Sequence, residues 1–439
     1  MNPETELAAI VGAEGILNEA CEAYAIDGKT PRWVVFPSTP EQVCRLVAVA
    51  QANNLKIAPF GSGSQIGIGA IPERIDLVIS TKQLTDVTYY NAKDMTISVG
   101  AGMTLSALAE HVRADNLWFP VDPPQPDRVT IGGAVAANSN GPLRFRKGPL
   151  RDHVIGIQIV SPDGNLVKAG GKVVKNVAGY DMCKLYIGSL GTLGIVVEVT
   201  LKLASQPEAQ AAIFAKIEEH TKTEEIISKI MNSSLDPIYL ELITGNRARL
   251  LCSGLLNREV STDRILAIGF DGGRAKVAWQ TETAKEMIVA SGSVVLKMSQ
   301  DGEAFNDRAA LAEIHNDTEA DMLLKASILS SQVSEFIETV DSLAQGKTVE
   351  AGCAAHAGNG IVHVFLNGED SHLISLAQDL LTKAVDLEGN LAVRKAPTHL
   401  KNRLEIWGKP SGAWSMMQNI RRKFDPAEMI NPMRFISAA

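Results

Sequence analysis

The chain has 439 residues, 45% of them hydrophobic and 21% charged, with a formal net charge of −8. This length suggests two or three domains, and the composition is that of a globular protein rather than a disordered one. The negative balance argues against nucleic-acid binding, where a basic stripe would be expected, and no run of like charges forms a tail.

Five cysteines, Cys21, Cys44, Cys183, Cys252 and Cys353, are odd in number, widely spaced and without a C-x-x-C pair. That excludes an iron–sulfur cluster on the usual spacings and argues against a disulfide framework. The first residues, MNPETELAAIVGAEG, are acidic and lack the basic region of a signal peptide. No apolar run reaches the length of a bilayer span. A cytoplasmic protein is expected, meeting a membrane only through a partner.

In chain order, residues 5–20 are expected to form a short helix and Trp33–Pro37 a strand. Thr39-Pro40-Glu41-Gln42 then announces a helix, with Thr39 as N-cap, Pro40 at the first helical position and Gln42 closing a capping box. Val43, Leu46, Val47 and Ala50 recur at helical spacing behind it. A strand over Leu55–Ala58 runs into a glycine-rich loop, followed by strands at Asp76–Ser80 and Thr96–Val99 and a helix Leu105–Arg113 capped by Thr104. Strands alternating with amphipathic helices indicate an α/β arrangement for this part. His153–Val160 and Leu166–Ala169 flank the turn Ser161-Pro162-Asp163-Gly164 as a hairpin, and Gly194–Leu203 closes the region as a strand.

Ala204–Gln210 reads as a linker. Beyond it, strands are expected at Ala211–Ile217, Ile238–Ile243, Ile265–Phe270, Val294–Met298, Leu323–Leu329 and Ile361–Leu366. Helices are expected at Glu224–Met231, Lys276–Ala290 and Val333–Leu343. The pattern suggests an antiparallel sheet with helices on one face.

Glycines cluster in two places. The first is Pro59-Phe60-Gly61-Ser62-Gly63-Ser64-Gln65-Ile66-Gly67-Ile68-Gly69. Successive backbone N–H groups in such a loop can form a concave nest for phosphate, although a plain surface turn reads the same way. The second runs from Trp118 to Glu198 and includes Gly132-Gly133, Gly141, Gly170-Gly171, Gly188, Gly191 and Gly194. Turns alone do not need so many. A long, narrow ligand laid against the backbone accounts for them.

The order P-x-G-x-G-S, V-D-P-P…T-I-G-G-x-V-A-A-N, R-D-x-V-I-G, K-N-V-A-G-Y-D and G-T-L-G-I-V resembles the FAD-binding domain of vanillyl-alcohol oxidase and p-cresol methylhydroxylase (PCMH). The resemblance implies an α+β fold: a PCMH-type FAD-binding domain of two subdomains over residues 1–205 and an antiparallel-sheet cap domain with helices over 206–395. A C-terminal segment, 396–439, would return to the flavin through F-D-P…N-P. It places the FAD pyrophosphate over the backbone of Gly61, Ser62, Gly63, Ser64 and Gln65, with Gly132 and Gly133 allowing a second close approach. Asn138, Asp152 and Val196 would lie along the ribityl and adenine portions. Pro59, Pro123, Thr130, Gly191, Ile195 and Asn431 complete the implied cofactor set. Some relatives attach FAD through a histidine near the first loop. No histidine lies between Met1 and Met103, so the FAD is expected to be non-covalent.

A second stretch, His356-Ala-Gly-Asn-Gly-Ile-Val-His363, resembles the H-x-G-D-G-N-x-H motif of flavin-dependent 2-hydroxy-acid dehydrogenases. In those relatives the two histidines and a downstream glutamate hold a divalent metal. Here Asn359 replaces the aspartate, and Val393-Arg394-Lys395-Ala396-Pro397 stands where the glutamate segment is expected. Two histidines without a third ligand make a poor metal site. Metal binding at His356 and His363 and a polar pair on one edge of a strand therefore both stay open. Lys325 and Arg394 are the candidate cations for a substrate carboxylate.

With V-R-K-A-P…L-K…W-G downstream, the chain is most similar to the smaller flavin subunit of bacterial glycolate oxidase. That resemblance implies oxidation of glycolate or D-lactate to the 2-oxo acid, with a homologous flavin subunit and an iron–sulfur subunit as partners. A catalytically silent relay or assembly subunit is the alternative. A nucleotide-sugar enolpyruvyl reductase on the same fold is a third reading.

Overall fold

The helix Pro40–Ala52 starts as its sequence requires: the Thr39 hydroxyl accepts the Gln42 N–H at 3.3 Å. Gln42 reaches one residue further back than a capping box, its carbonyl oxygen accepting the Ser38 N–H at 2.7 Å. The structure, a computed structural model, describes residues 2–172, 180–218, 220–256, 264–316 and 320–436. The K-N-V-A-G part of the fourth glycine motif, 175–179, lies outside the described residues.

Val43, Leu46, Val47 and Ala50 are buried against Ile57, Leu77 and Ile79. This face closes a four-stranded sheet in the order Ile16–Leu17, Trp33–Val35, Leu77–Ser80, Ile57–Phe60, whose last three strands are parallel. The first helix is shorter than 5–20. It spans Pro3–Val11 and stops at Gly12, whose φ of 81° no helix can continue through.

The second subdomain is a five-stranded antiparallel sheet in the order Val87–Asn91, Thr96–Gly100, Ile195–Lys202, Val154–Val160, Leu166–Gly170. The expected hairpin forms its edge. The helix Ile131–Ala137 shares the core of this sheet, with Ile131, Ala134 and Val135 buried beside Ile97, Val99 and Val199. The expected linker is partly ordered. Ala204–Ser205 pairs with Leu117–Trp118, and the next strand, Ala209–Lys216, begins before residue 211.

The cap is one eight-stranded antiparallel sheet. Its order is Val294–Gln300, Ala209–Lys216, Arg264–Gly272, Tyr239–Thr244, Glu350–His356, Ile361–Asn367, Met322–Ser327, Asn390–Lys395. Helices cover both faces rather than one. Ile226, Val277, Phe336 and Leu380, from four long helices, pack on one side against Ile213, Leu240, Leu324 and Val364. On the other side, Ala248 and Leu251 of the helix Gly245–Gly254 and Leu311 of the helix Asp301–Glu313 pack against Phe214, Ile243 and Phe365. Alternate residues of each strand feed the two cores, as the period of a strand demands. The helix Asp301–Glu313 meets the FAD-binding part, its Glu313 accepting the Gln125 N–H at 2.6 Å.

The C-terminal segment does return to the first sheet. Ile57 donates to Met429 O at 2.8 Å and Asn431 N–H donates to Ile57 O at 2.8 Å. Arg434 then bonds the Ile66 and Ala70 carbonyls and the Asp27 carboxylate. Lys401 reaches the same carboxylate at 2.6 Å and the Gly67 carbonyl at 2.5 Å.

Candidate active site

The strand Ile57–Phe60 delivers the first glycine loop to the N-terminus of the helix Ile131–Ala137. Thr130 caps that helix, its hydroxyl accepting the Gly133 N–H at 3.2 Å. A side chain at Gly61 would overlap this hydroxyl. Gly63 has a φ of 77°, and a Cβ there would lie 2.5 Å from the Phe60 ring. The loop therefore presents backbone rather than side chain at these two glycines. Gly61, Ser62, Gly63, Ser64 and Gln65 line a narrow cavity of about 90 Å³ together with Pro59, Gly133, Leu190, Asn431 and Arg434.

Three buried oxygens beside this cavity and its continuation, Asn138 Oδ1, Ser139 Oγ and Asn431 Oδ1, have no hydrogen-bond partner among the described residues. Buried polar atoms are normally paired. A polar cofactor laid along the loop would pair them, so the residues present fit FAD. Gly191, with a φ of 67°, sits against Pro59 and Asn431. The remaining implied contacts lie elsewhere. Gly132 packs against Ala101, Ile195 and Val196 belong to the apolar cores, and Asp152 lies on an exposed turn. Pro123 lines a separate cleft with Trp118 and Phe305.

A cavity of about 420 Å³ separates the loop from the cap sheet. Ser64, Gln65, Asn138, Ser139, Asn140 and Arg144 line it from one side, and His315, Asn316, Lys325, His356, His363, Arg394 and Lys395 from the other. His356 and His363 stand on neighbouring strands of a hairpin, not on one edge, joined through Ala357–Asn359 and Gly360. Lys325 lies directly across from His363 in the next strand. Arg394, near the end of the edge strand, donates to Gln65 Oε1 at 3.0 Å and so ties the cap to the glycine loop.

Arg394 and Lys395 do stand where the glutamate segment was expected, but a third imidazole lies beside the pair. His315 follows the helix Asp301–Glu313, and its Nδ1 lies 3.0 Å from His363 Nδ1. One ligand atom from each of His315, His356 and His363 falls within 4.8 Å of the others. Behind them lies the fully buried Glu241, which accepts from His315 Nε2 at 3.0 Å and from His356 Nδ1 at 2.7 Å. These two bonds fix the tautomers and leave His315 Nδ1 and His356 Nε2 as lone pairs. Carboxylates behind histidines are the usual outer support of a metal centre. The donor set thus fits a divalent metal, with the three imidazoles as ligands.

Burial dominates the electrostatics. It pushes His356 down to about 3, with the charges of Arg144 and Lys325 adding to the effect. Burial likewise lowers His315 and holds His363 well below the ordinary histidine range, so all three are neutral and able to ligate. Burial raises Glu241 to about 7, opposed by the hydrogen bond from His315. Burial, then Arg394 and Arg144, push Lys325 down to about 7. No aspartate or glutamate lines the cavity among the described residues.

His315, Glu241 and Arg144 are the site residues the sequence did not disclose. Glu241 offered a signal: a lone carboxylate inside YLELIT, a strand buried along its whole length. His315 carries none, because its helix has few apolar positions and the histidine lies outside any motif.

Residues 206–435 match the C-terminal domain of FAD linked oxidases, and residues 31–170 match an FAD binding domain. The chain belongs to the FAD-linked oxidases. Over 415 residues this FAD-linked oxidase is 26% identical to the glycolate oxidase subunit GlcD of Bacillus subtilis, covering 92% of this chain and 88% of that one. It is 25% identical over 437 residues to a D-lactate dehydrogenase of Anaerostipes hadrus, covering 94% and 91%. Among solved structures, p-cresol methylhydroxylase with substrate bound superposes with a TM-score of 0.77 at 15% identity, covering 98% of this chain and 96% of that one. Alkyldihydroxyacetonephosphate synthase gives 0.75 at 17%, covering 98% and 85%. The fold is therefore the expected one, a two-subdomain PCMH-type domain with an antiparallel cap. No described helix of this FAD-linked oxidase is long and apolar enough to cross a membrane.

Proposed function

We propose that this FAD-linked oxidase oxidises a 2-hydroxy acid to the 2-oxo acid, with the C2 hydride passing to non-covalently bound FAD. We propose further that it works as a flavin subunit beside a homologous flavin subunit and an iron–sulfur subunit. The observation that carries the reading is the cluster of three neutral imidazoles backed by Glu241, opening onto a cavity lined by cations and by the glycine loop. The related glycolate oxidase subunit and D-lactate dehydrogenase support the substrate class.

Each residue then has a task. Lys325 and Arg394 receive the substrate carboxylate, Arg394 bidentately. His315, His356 and His363 receive the hydroxyl. The lone pair of His356 Nε2 takes the hydroxyl proton as the C2 hydride leaves, and Glu241, bonded to His356 Nδ1, stabilises the imidazolium that forms. Ser64, Gln65 and the backbone of the glycine loop hold the cofactor against the opposite wall. FAD bound there would supply the two-electron acceptor. A divalent metal on the three imidazoles would lower the hydroxyl pKa. The five scattered cysteines provide no cluster for onward electron transfer, which is why the partners are part of the proposal.

The test is the visible spectrum of the purified protein, recorded without air as glycolate, D-lactate and other 2-hydroxy acids are added, with and without a divalent metal. Bleaching of the flavin is expected. A flavin that stays oxidised until dithionite is added makes the chain a relay or assembly subunit instead.

A further inference from the structure

The cleft beside Pro123 and the histidine cavity have part of one wall in common, since Gln125 and Asn316 line both. The cleft is the larger, about 1340 Å³ against about 420 Å³, and it runs between the FAD-binding part and the cap helix Asp301–Glu313. Clefts between domains are a preferred place for small ligands. Asn316 follows His315 of the imidazole cluster directly. A ligand that crosses from the cleft between Gln125 and Asn316 therefore arrives beside the cluster.

Along this cleft the cap helix is held to the FAD-binding part in two unlike ways. Arg308 is buried, with its guanidinium 5.1 Å from the centre of the Trp118 ring, 4.9 Å from that of Phe305 and 3.8 Å from the Asp122 carboxylate. That contact is packed and stays. Further along the helix, the exposed Glu313 closes the junction. Its carboxylate accepts the Gln125 N–H at 2.6 Å and the Asn316 side-chain amide at 3.4 Å. A hydrogen bond within reach of water contributes little net, because water replaces either partner. Gln125 is held at a φ of 59°, a left-handed conformation that strains a residue with a Cβ. The closed junction thus joins a strained backbone to a weak bond.

We propose that the outer cleft is the entrance to the histidine cavity, and that the bond between Glu313 and the Gln125 N–H is the latch across it. Closed, the Glu313 carboxylate fills the junction and repels an incoming anion. Swung into the cleft, it frees the Gln125 N–H and the Asn316 amide as donors for the carboxylate of that anion. Closure behind the ligand keeps water from the cluster. That the ligand is a hydroxy acid rests on the function proposed above, whereas the route does not.

The experiment measures access to the cavity with a reporter thiol. Ile361, buried on the cavity wall, is changed to cysteine, and the FAD-loaded Ile361→Cys protein is alkylated with iodoacetamide while mass spectrometry follows each cysteine. Ala309 and Ala109 are exposed on the cap wall and the FAD-binding wall of the cleft. Ala309→Trp and Ala109→Trp, each added to the reporter protein, should slow labelling of the reporter about 10-fold. Glu313→Ala should speed it about 5-fold. Glu313→Gln keeps an oxygen for the Gln125 N–H and should label within about 2-fold of the parent. The native cysteines should react at unchanged rates throughout. Reporter labelling that ignores both tryptophans would overturn the entrance, and Glu313→Ala labelling no faster than Glu313→Gln would overturn the latch. Native cysteines that speed up in step with the reporter would overturn it too, because the fold itself would have loosened. No hydroxy acid takes part, so if none bleaches the flavin the proposed oxidation fails and the entrance stands. Labelling blind to the cleft removes the entrance and leaves the oxidation standing.

Discussion

The Nδ1 atoms of His315 and His363 face each other at 3.0 Å across the floor of the cavity, although 48 positions separate the residues in sequence. With His315 Nε2 committed to Glu241, the proton between the two must belong to His363 in the metal-free protein. Two imidazole nitrogens this close, with His356 alongside, form a ready chelate once a cation displaces that proton. Glu241, bonded to both His315 and His356, sets their orientation.

Removing that support should weaken the chelate without touching it. Glu241→Gln keeps the shape but cannot accept from both imidazoles as a carboxylate does. Zinc or manganese affinity, measured by calorimetry, should fall about 10- to 100-fold, the usual effect of an outer-shell partner. Unchanged metal affinity would assign Glu241 a packing role only.

Lys325 gives a pH signature. Its pKa in the folded protein, about 7, is below the ordinary lysine value of 10.5. The folded state thus binds this proton less readily than the unfolded state. The cost of keeping Lys325 charged is fully present below about pH 7 and fades as the pH rises toward 10.5. In the ligand-free protein Lys325→Met should therefore raise Tm most near about pH 6 and clearly less near about pH 9. A stabilisation that grew with pH would contradict the burial of a charged lysine.

Asp27 joins two buried cations, Lys401 and Arg434, that hold the Ile66–Ala70 stretch of the glycine loop from behind. Asp27→Asn would leave both cations without their carboxylate. The expected loss in denaturant unfolding is about 3–5 kcal/mol, the cost of breaking a buried pair. The flavin content of the purified variant should fall with it. A neutral outcome would mean that the carbonyls of the loop suffice.

Gly61→Ala separates cofactor binding from folding. The added methyl collides with the Thr130 hydroxyl that caps the helix Ile131–Ala137, so loop and helix must part. The flavin-to-protein ratio after purification should drop severalfold while the circular dichroism of the large cap sheet is retained. Full flavin occupancy in this variant would move the pyrophosphate away from the loop.

The sequence disclosed the parts of the molecule whose chemistry is local. Thr39, Thr104 and Thr130 cap helices that a few neighbouring residues specify, and the first glycine loop is legible because its conformation excludes side chains. His356 and His363 were visible through one short motif. The helix Asp301–Glu313 was not, since its sequence DGEAFNDRAALAE carries a weak apolar stripe between two layers of protein. With that helix undisclosed, His315 had no address, and the cluster looked one ligand short. Arg144 stood next to Arg146 and Lys147 as one of three similar cations. Only its place on the cavity wall, with the other two paired to Asp236 and Asp271, separates it from them.

The most direct measurement is the rate of flavin bleaching in a stopped-flow instrument, without air, for the wild-type protein and for His315→Ala and His356→Ala. Each protein is loaded with FAD and metal and mixed with its best 2-hydroxy acid. The account predicts bleaching by the wild type and a loss of about 100-fold or more in both variants, with the oxidised flavin spectrum intact. A wild-type flavin that no hydroxy acid reduces, or variants that bleach as fast as the wild type, would contradict the assignment of the histidine cluster as the reacting centre.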